Sequence, residues 1–278
     1  MNWIKSPADT GEQAVYFDRR VIWRDLPVRI EAKATAKGVY NLFANGRRVN
    51  KNALAPGKKI NGSLQVQTYD LFRYFPLGGT ITMEAARGGN GGVSVAAEIT
   101  AFYADGSIET VSTGADWMCR THPVRVSADG ETIDTAYRPK ELGRAVLDES
   151  SFPTVPQTDE EIKPLERIAP AAVITAPNGD RILDFEREIT GWVELTVEAP
   201  YGSLIAFDHG LILDKDGNFV SSKVCSRFVL NGDKQVLAPH FSFCVFRYIR
   251  LLETPFETID PAQFTAVVLS SVPSLGIG

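Results

Sequence analysis

The alternation of apolar and polar residues is the feature that most constrains the fold of this chain. Residues 28–34 read Val, Arg, Ile, Glu, Ala, Lys, Ala, and residues 193–198 repeat the pattern as Val, Glu, Leu, Thr, Val, Glu. Because successive side chains of a strand point to opposite faces of a sheet, each pattern predicts a half-buried β-strand. Helical periodicity is nearly absent, and only residues 159–165 fit a short helical turn, which Pro164 limits. The chain is therefore predicted to be all-β with little helix.

Turn signals divide the chain into short strands. An asparagine or aspartate followed by glycine supplies the positive φ angles that a tight primed hairpin turn requires. Short strands separated by such turns are typical of sandwiches and jelly rolls rather than of α/β folds. We therefore predict two tandem antiparallel, jelly-roll-like β-sandwich domains. The five pairs begin at Asn45, Asp105, Asn178, Asp216 and Asn231.

One stretch, residues 141–170, interrupts the alternation. It contains Pro153, Pro156, Pro164 and Pro170 together with a short acidic run. Proline cannot donate a hydrogen bond to a neighbouring strand, so the stretch is predicted to be a linker or a long surface loop. A chain of 278 residues is long enough for two domains. We place them at residues 1–165 and 166–278.

Charge and cysteine content narrow the classes of partner. The net charge is −5 with both signs scattered along the chain, which gives no footprint for nucleic acid or for an anionic membrane. The three cysteines share no short spacing and predict neither a disulfide framework nor a zinc site. The first residues lack the apolar run of a signal peptide, and no stretch approaches the ~18–20 apolar residues of a membrane span. A cytoplasmic protein is expected.

An ordered series of short motifs runs along nearly the whole chain. The first half contains Asn-Gly-Arg-Arg-Val at residues 45–49 and Leu-Ala-Pro-Gly at residues 54–57. The second half contains Gly-Trp-Val at residues 191–193 and Asp-His-Gly at residues 208–210. In this order, the motifs resemble the N-terminal, non-catalytic β-sandwich domains of bacterial α-L-rhamnosidases of glycoside hydrolase family 78.

The resemblance implies an accessory or scaffold role. In that family, the acidic residues that cleave the glycosidic bond belong to an (α/α)6 helical barrel that follows the sandwiches, and nothing in this sequence resembles the acidic motifs of the barrel. The expected partner is a rhamnosidase-type catalytic domain in a longer chain. Two alternatives stay open, namely a stand-alone module that binds L-rhamnose in a glycan and a β-sandwich that is itself a hydrolase.

Candidate carbohydrate-binding residues come from the loops. The first sandwich of some family members binds rhamnose with calcium, but this chain has Asn-Lys-Asn at residues 50–52 where relatives usually have acidic residues. It also has Lys58 where relatives have tryptophan. Sugars usually dock on aromatic rings and calcium prefers acidic oxygens, so both changes weigh against rhamnose binding. The polar residues that the loops retain, and that we take as candidates, are Asn45, Asn50, Asn90, Glu131 and Asp134.

A calcium loop is one interpretation of Asp214, Asp216 and Asn218, which present oxygens at alternate positions. The glutamate that closes such a loop is missing, since its position is occupied by Cys225. A hairpin turn built on Asp216 and the following glycine explains the same residues. No cofactor is expected apart from the calcium that this pattern allows.

No catalytic residue is assigned. Glycoside hydrolysis needs two carboxyl groups about 5–9.5 Å apart. Glu131 and Asp134 are close in sequence, but acidic residues in a strand or turn usually form a solvated face. The glycine-rich residues 88–92 are predicted to form a loop that could line a ligand site. Glu186 stands where the family has glycine, which suggests a relaxed constraint or a different local turn.

Overall fold

A computed structural model of the protein describes residues 1–88, 92–150 and 152–271. These residues form β-strands and one 3-10 turn, Pro261–Gln263, so the predicted all-β class is confirmed. Over the same residues, no helix has the length and hydropathy of a membrane span. The helical turn predicted for residues 159–165 is wrong, because this segment leads into an exposed strand at Lys163–Ile168.

The strands are numbered in chain order. The first ten are β1 (Ile4–Lys5), β2 (Gln13–Val21), β3 (Arg29–Lys37), β4 (Val39–Ala44), β5 (Arg47–Arg48), β6 (Leu64–Asp70), β7 (Gly79–Ala86), β8 (Ser94–Phe102), β9 (Ile108–Ser112) and β10 (Met118–Ser127). The others are β11 (Gly130–Asp134), β12 (Glu141–Arg144), β13 (Val146–Leu147), β14 (Thr154–Pro156), β15 (Lys163–Ile168), β16 (Ala172–Thr175), β17 (Arg181–Val197), β18 (Leu204–Gly210), β19 (Cys225–Val229), β20 (Gln235–Leu237), β21 (Cys244–Glu253) and β22 (Phe264–Ser270).

The chain forms two compact units. The first unit comprises residues 1–122 and 139–161, and the second comprises residues 123–138 and the described part of 162–278. The division therefore falls within β10 as well as after residue 161. The hairpin that follows residue 122 belongs to the second unit, which a single boundary near residue 165 does not provide for. The predicted domain limits, 1–165 and 166–278, stay a prediction.

The first unit is a sandwich of two sheets. One sheet has the order β13-β1-β8-β3-β6-β14, with β9 also on β8, and the other contains β12 on β10 followed by β2, β7, β4 and β5. Fully buried side chains from both sheets form one core, among them Phe17 and Met83 from one sheet and Ile30 and Ile99 from the other. Most pairs, such as β3 with β8, are antiparallel, but β14 runs parallel to β6.

The second unit is built around the long strand β17. Its first residues lie between β16 and β21, and its later residues pair with β22 and β20. A register shift between Asp184 and Ile189 separates the two parts. The strand order continues from β21 through β18 and β19 to β11, which pairs in parallel with β19. The core contains the ring of Phe207, which lies 5.9 Å from the rings of both Phe228 and Phe264.

Residues 141–170 are not the loop that the prolines suggested. The stretch contains four short strands, β12 to β15, and each pairs with one neighbouring strand. A strand at a sheet edge needs only one side of its backbone for pairing, so proline is tolerated there. Prolines therefore indicated edge strands rather than the absence of strands.

Turns occur at four of the five predicted glycine pairs, and the chain only bends at the fifth, Asn231 and Gly232. Asn45 and Gly46 have φ angles of 51° and 74°, which is the predicted primed turn. At the other four pairs only the glycine has a positive φ. An additional pair, Asn61 and Gly62, has φ angles of 47° and 80° and forms a second turn with the backbone of the first type.

Candidate functional site

Asn45 uses its side chain to hold the β4–β5 turn against a neighbouring loop. Its Nδ2 donates to the carbonyl oxygens of Tyr74 at 3.1 Å and Gly78 at 3.2 Å, and its Oδ1 accepts the N–H of Thr80 at 2.9 Å. A Cβ on Gly79 would lie 1.9 Å from this Oδ1, so the approach requires glycine there. Both N–H groups of the amide are occupied within the first unit.

Asn50 is a buried connector, with 2% of its surface exposed. Its Oδ1 accepts the N–H of Leu42 at 2.8 Å, and its Nδ2 donates to the carbonyl oxygen of Asn52 at 2.9 Å. The same amide lies 3.4 Å from Oδ1 of Asn41, whose own amide donates to Glu84 at 3.4 Å. The side chain therefore ties strand β4 to the segment that follows β5.

Glu131 is a buried carboxylate surrounded by donors. It accepts the N–H groups of His240 at 2.6 Å and Phe241 at 3.1 Å, and the hydroxyl of Ser242 at 2.7 Å. Burial raises the pKa of Glu131, and the donated hydrogen bonds oppose that shift. The carboxylate fixes the segment 240–242 to strand β11.

Glu131 and Asp134 do not form a pair of converging carboxylates. They are three residues apart on strand β11, so their side chains point to opposite faces of the sheet. Asp134 accepts the N–H of Ala136 at 3.0 Å, a short-range contact that is typical of a turn. The two carboxyl groups therefore cannot flank one glycosidic bond as the general acid and the base or nucleophile of a hydrolase.

The fifth candidate, Asn90, lies outside the described residues, but the ends of its loop border a cavity. This cavity has a volume of about 450 Å³ and is lined by Arg87 and Val93 together with the N-terminal segment 5–11. Lys5 lies 3.6 Å from Asp148, measured from Nζ to Oδ1. The N-terminal segment carries no motif, so this cavity could not be predicted from the residues that line it.

The predicted metal loop is organised by hydrogen bonds within the chain. Oδ1 of Asp214 accepts the N–H groups of Asp216 at 2.9 Å and Asn218 at 2.8 Å, and these bonds lower the pKa of Asp214, with the bond from Asn218 as the largest cause. Oδ1 of Asn218 accepts the N–H of Asn178 at 3.2 Å. The alternation of oxygens therefore has a structural explanation as a turn, and calcium binding at these residues stays a prediction.

Sequence reasoning missed the arginine–carboxylate pairs of the second unit. Arg247 donates to both oxygens of Asp184 at 2.9 Å, and this contact holds the pKa of Asp184 below its usual range. Arg250 contacts the buried Asp208 at 3.2 Å and Asp180 at 3.1 Å. The partners are 42 to 70 residues apart, so no local sequence pattern predicts these pairs. A carboxylate paired with arginine is a poor general acid, because its proton is lost at low pH.

Glu186 keeps the backbone geometry of a glycine. Its φ angle is 64°, in the left-handed region that disfavours side chains, and its N–H donates to Oδ1 of Asp184 at 2.7 Å. The backbone therefore still adopts a conformation that favours glycine, and the suggestion of a relaxed constraint or a different local turn stays a prediction. The residue lies at the register shift between β17 and β21, where the bulge requires this conformation.

Two family descriptions match the sequence. Residues 27–176 match the alpha-L-rhamnosidase N-terminal domain, and residues 174–270 match the bacterial alpha-L-rhamnosidase concanavalin-like domain. An alpha-L-rhamnosidase of Streptomyces avermitilis is 28% identical over 282 residues, which cover 88% of this chain and 27% of that protein.

Solved structures share the fold. The alpha-L-rhamnosidase of Dictyoglumus thermophilum matches with a TM-score of 0.87 at 19% identity, over 97% of this chain and 35% of that one. The Streptomyces avermitilis alpha-L-rhamnosidase complexed with L-rhamnose matches with a TM-score of 0.82 at 23% identity, over 93% of this chain and 28% of that one. The chain thus spans about a third of the length of these relatives.

Proposed function

The chain belongs to the bacterial alpha-L-rhamnosidase family, in which it is an accessory β-sandwich region, and from this we propose that it positions a rhamnosidase-type catalytic domain of a longer chain. The observation that carries the proposal is that the acidic side chains of Glu131 and Asp184 are engaged by groups of the same chain. Glu131 is enclosed by three donors of its own unit, and Asp184 is held by an arginine. These carboxylates stabilise the sandwich instead of facing a substrate.

The lengths of the relatives also support separate accessory and catalytic regions. The region that this chain matches makes up 27% of one protein that bears the name alpha-L-rhamnosidase and 35% of another. Within the described residues the only helix is a 3-10 turn, so the catalytic helical barrel that the family resemblance implies has no counterpart there. A region of paired sheets with fixed polar groups is suited to hold another domain in place.

Hydrolysis of an aryl α-L-rhamnoside by the purified chain tests the absence of catalysis. We expect no release of the aryl group above the buffer rate, with the Streptomyces avermitilis enzyme as positive control. Release that rises in proportion to the concentration of this chain would overturn the proposal.

Deletion of the matched region from the Streptomyces avermitilis protein tests the positioning role. We expect loss of soluble, active enzyme, and unchanged activity and thermal stability would contradict it.

A second candidate function, carbohydrate binding, is favoured by the cavity beside Arg87. Its volume of about 450 Å³ lies in the range of small-ligand sites, and Lys5, Asp9 and Thr10 give it a polar wall. One relative is described in complex with L-rhamnose. Calorimetric titration with L-rhamnose, with and without calcium, tests this function. Heat at millimolar sugar that Thr10→Ala abolishes would support it, and no heat would remove it.

A further inference from the structure

Acidic residues are missing from one long stretch of the first unit. Residues 32–69 contain seven lysines and arginines and no aspartate or glutamate. The chain as a whole has the opposite balance, with 29 basic and 34 acidic residues. Because this is the longest acid-free stretch of the sequence, its positive charge is not balanced by neighbours along the chain.

Five of these cations lie along one edge of a sheet. Strand β5 is the last strand of its sheet and pairs, among the described strands, with β4 alone. The chain then continues along the same side of β4, where Ala55 forms a bridge to Tyr40. We use the name basic edge for these five side chains and for one further cation of the β6–β7 loop, all of them exposed. The basic edge consists of Arg47, Arg48, Lys51, Lys58, Lys59 and Arg73.

Arg73 joins this edge because Asn45 fixes the β4–β5 turn to the carbonyl oxygen of Tyr74. The guanidinium groups of Arg47 and Arg73 lie against the ring of the same Tyr74, at 5.3 Å and 4.6 Å from its centroid. Two like charges held by one ring repel each other, and an anion bound between them removes that repulsion. The two arginines are therefore suited to bind a carboxylate.

Most of the basic edge has no acidic partner. Lys58 has a carboxylate within 4.0 Å, that of Asp159 at 3.8 Å. Among the residues that the structure describes, the other five members have none. The outer side of β5 also has backbone N–H and C=O groups that pair with no described strand, and such groups can bind hydroxyl groups. The edge thus offers unpaired positive charge together with free backbone donors and acceptors.

The distribution of charge favours a carboxylated glycan over nucleic acid. Without the five cations of residues 47–59, the chain has 24 basic and 34 acidic residues, so the rest of it repels a densely charged polymer. A glycan has at most one carboxylate on each uronic acid, and its hydroxyl groups suit the free backbone groups of β5. Guanidinium groups contact carboxylates through two parallel hydrogen bonds. The choice of a glycan rests on the proposed function.

We propose that the basic edge binds an acidic polysaccharide, whose uronic acid carboxylates contact these arginines and lysines. The arginines beside Tyr74 bind one carboxylate, and the lysines further along the edge bind carboxylates of later sugars. An extended glycan lies along the side of β4, which residues 47–59 follow. The surface is separate from the cavity beside Arg87 and requires a charged ligand.

Calorimetric titration of the intact chain with polygalacturonate tests the proposal, with the fully methyl-esterified, uncharged polymer as control. We expect binding of the charged polymer that weakens as salt is added, and no binding of the ester. Arg47→Glu and Lys59→Glu should each weaken binding at least about tenfold, because a repulsive charge replaces an attractive one. Arg125→Glu and Lys234→Glu make the same change at exposed positions of the second unit and should bind like the original.

Thermal unfolding of all four variants should match the original, since each replaced side chain is exposed. Equal binding of both polymers, or binding that survives Arg47→Glu and Lys59→Glu, would overturn the proposal. Loss of binding in a control variant would also overturn it, because net charge would then decide binding. Tighter binding of single-stranded DNA than of polygalacturonate would overturn the assignment of a glycan.

Absence of binding would overturn the proposal as well. Aggregation of the edge variants would then assign the charges to another role, in which they keep the free edge from pairing with a second chain. Polygalacturonate contains no rhamnose, and the titration measures no hydrolysis. Its result is therefore independent of the rhamnoside and deletion experiments that test the proposed function.

Discussion

The two units hold their candidate residues with different chemistry. In the first unit the ties are neutral amides, Asn45 and Asn50, and the buried hydroxyl of Tyr40, which lies 2.8 Å from Oε1 of Gln67. In the second unit the ties are carboxylates, Glu131 and Asp184, the latter paired with an arginine. Hydrogen bonds to charged groups are stronger than neutral ones and depend on pH. The second unit should therefore respond more strongly to loss of one side chain. Its response to acid should come from Asp184 and His209, whose pKa values are both lowered in the folded chain.

Removal of Glu131 should have the largest effect. Glu131→Ala leaves the N–H groups of His240 and Phe241 and the hydroxyl of Ser242 without their acceptor, and we expect the free energy of unfolding to fall by about 3 kcal/mol. Urea denaturation measures it. Glu131→Gln keeps one acceptor oxygen and should lose less, about 1–2 kcal/mol. A Glu131→Ala protein within about 0.5 kcal/mol of the original would mean that the carboxylate does not hold segment 240–242.

Removal of Asn50 should have a smaller effect, because its bonds are neutral. Asn50→Ala leaves the N–H of Leu42 unpaired, and we expect a loss of about 1–2 kcal/mol in the same denaturation experiment. Asn2→Ala is the control, since that side chain is exposed and should change stability by less than about 0.5 kcal/mol. If Asn50→Ala cost as much as Glu131→Ala, the difference between the units would disappear.

Acid should destabilise the second unit through His209. Burial lowers the pKa of His209 below 6.5, so the unfolded chain binds the proton more readily than the folded one. The contribution of the neutral ring is present above pH 6.5 and is lost as the pH falls further. One such group changes stability by at most about 1.4 kcal/mol per pH unit.

His209→Gln isolates this contribution. Chemical denaturation of both proteins between about pH 7 and pH 5 should give a shallower decline for the variant. The raised pKa of Glu131 acts in the opposite direction at lower pH, and it is common to both proteins. Parallel curves for the two proteins would show that His209 does not contribute to the acid response of this unit.

The smallest predicted effect is a stabilisation. Glu186→Gly should raise the free energy of unfolding by about 1 kcal/mol, because glycine adopts the left-handed conformation without strain. Glu188→Gly is the matched control, since Glu188 is also exposed but lies outside the left-handed region. It should lower stability by about 0.5–1 kcal/mol. The same sign for both variants would contradict the assigned strain.

Much of the fold could be predicted because a half-buried strand produces a local alternation of apolar and polar residues. The alternation at residues 28–34 became strand β3, in which Ile30, Ala32 and Ala34 face the core. The turn at Asn45 was equally visible, since it depends on two adjacent residues. Prolines in edge strands misled the interpretation of residues 141–170, because proline excludes pairing on one side of a strand only.

The candidate site was less predictable because its contacts join distant parts of the chain. The sequence indicates a loop carboxylate at Glu131, yet the role of this side chain depends on donors 109 to 111 residues further along. The pair of Asp184 and Arg247 is separated by 63 residues. Neither separation produces a periodic pattern in the sequence. The carboxylates alone suggested a binding or catalytic role, whereas the tertiary fold places them in hydrogen bonds that stabilise the unit.

Amide hydrogen exchange with and without millimolar L-rhamnose and calcium tests the central claim most directly. The claim is that Asn50 and Glu131 hold backbone donors in the unliganded chain. We predict that the amides of Leu42, His240 and Phe241 are protected without sugar and exchange at the same rate with it. Fast exchange of these amides in the free chain, followed by protection when the sugar is added, would show that they form a ligand site and would contradict the account.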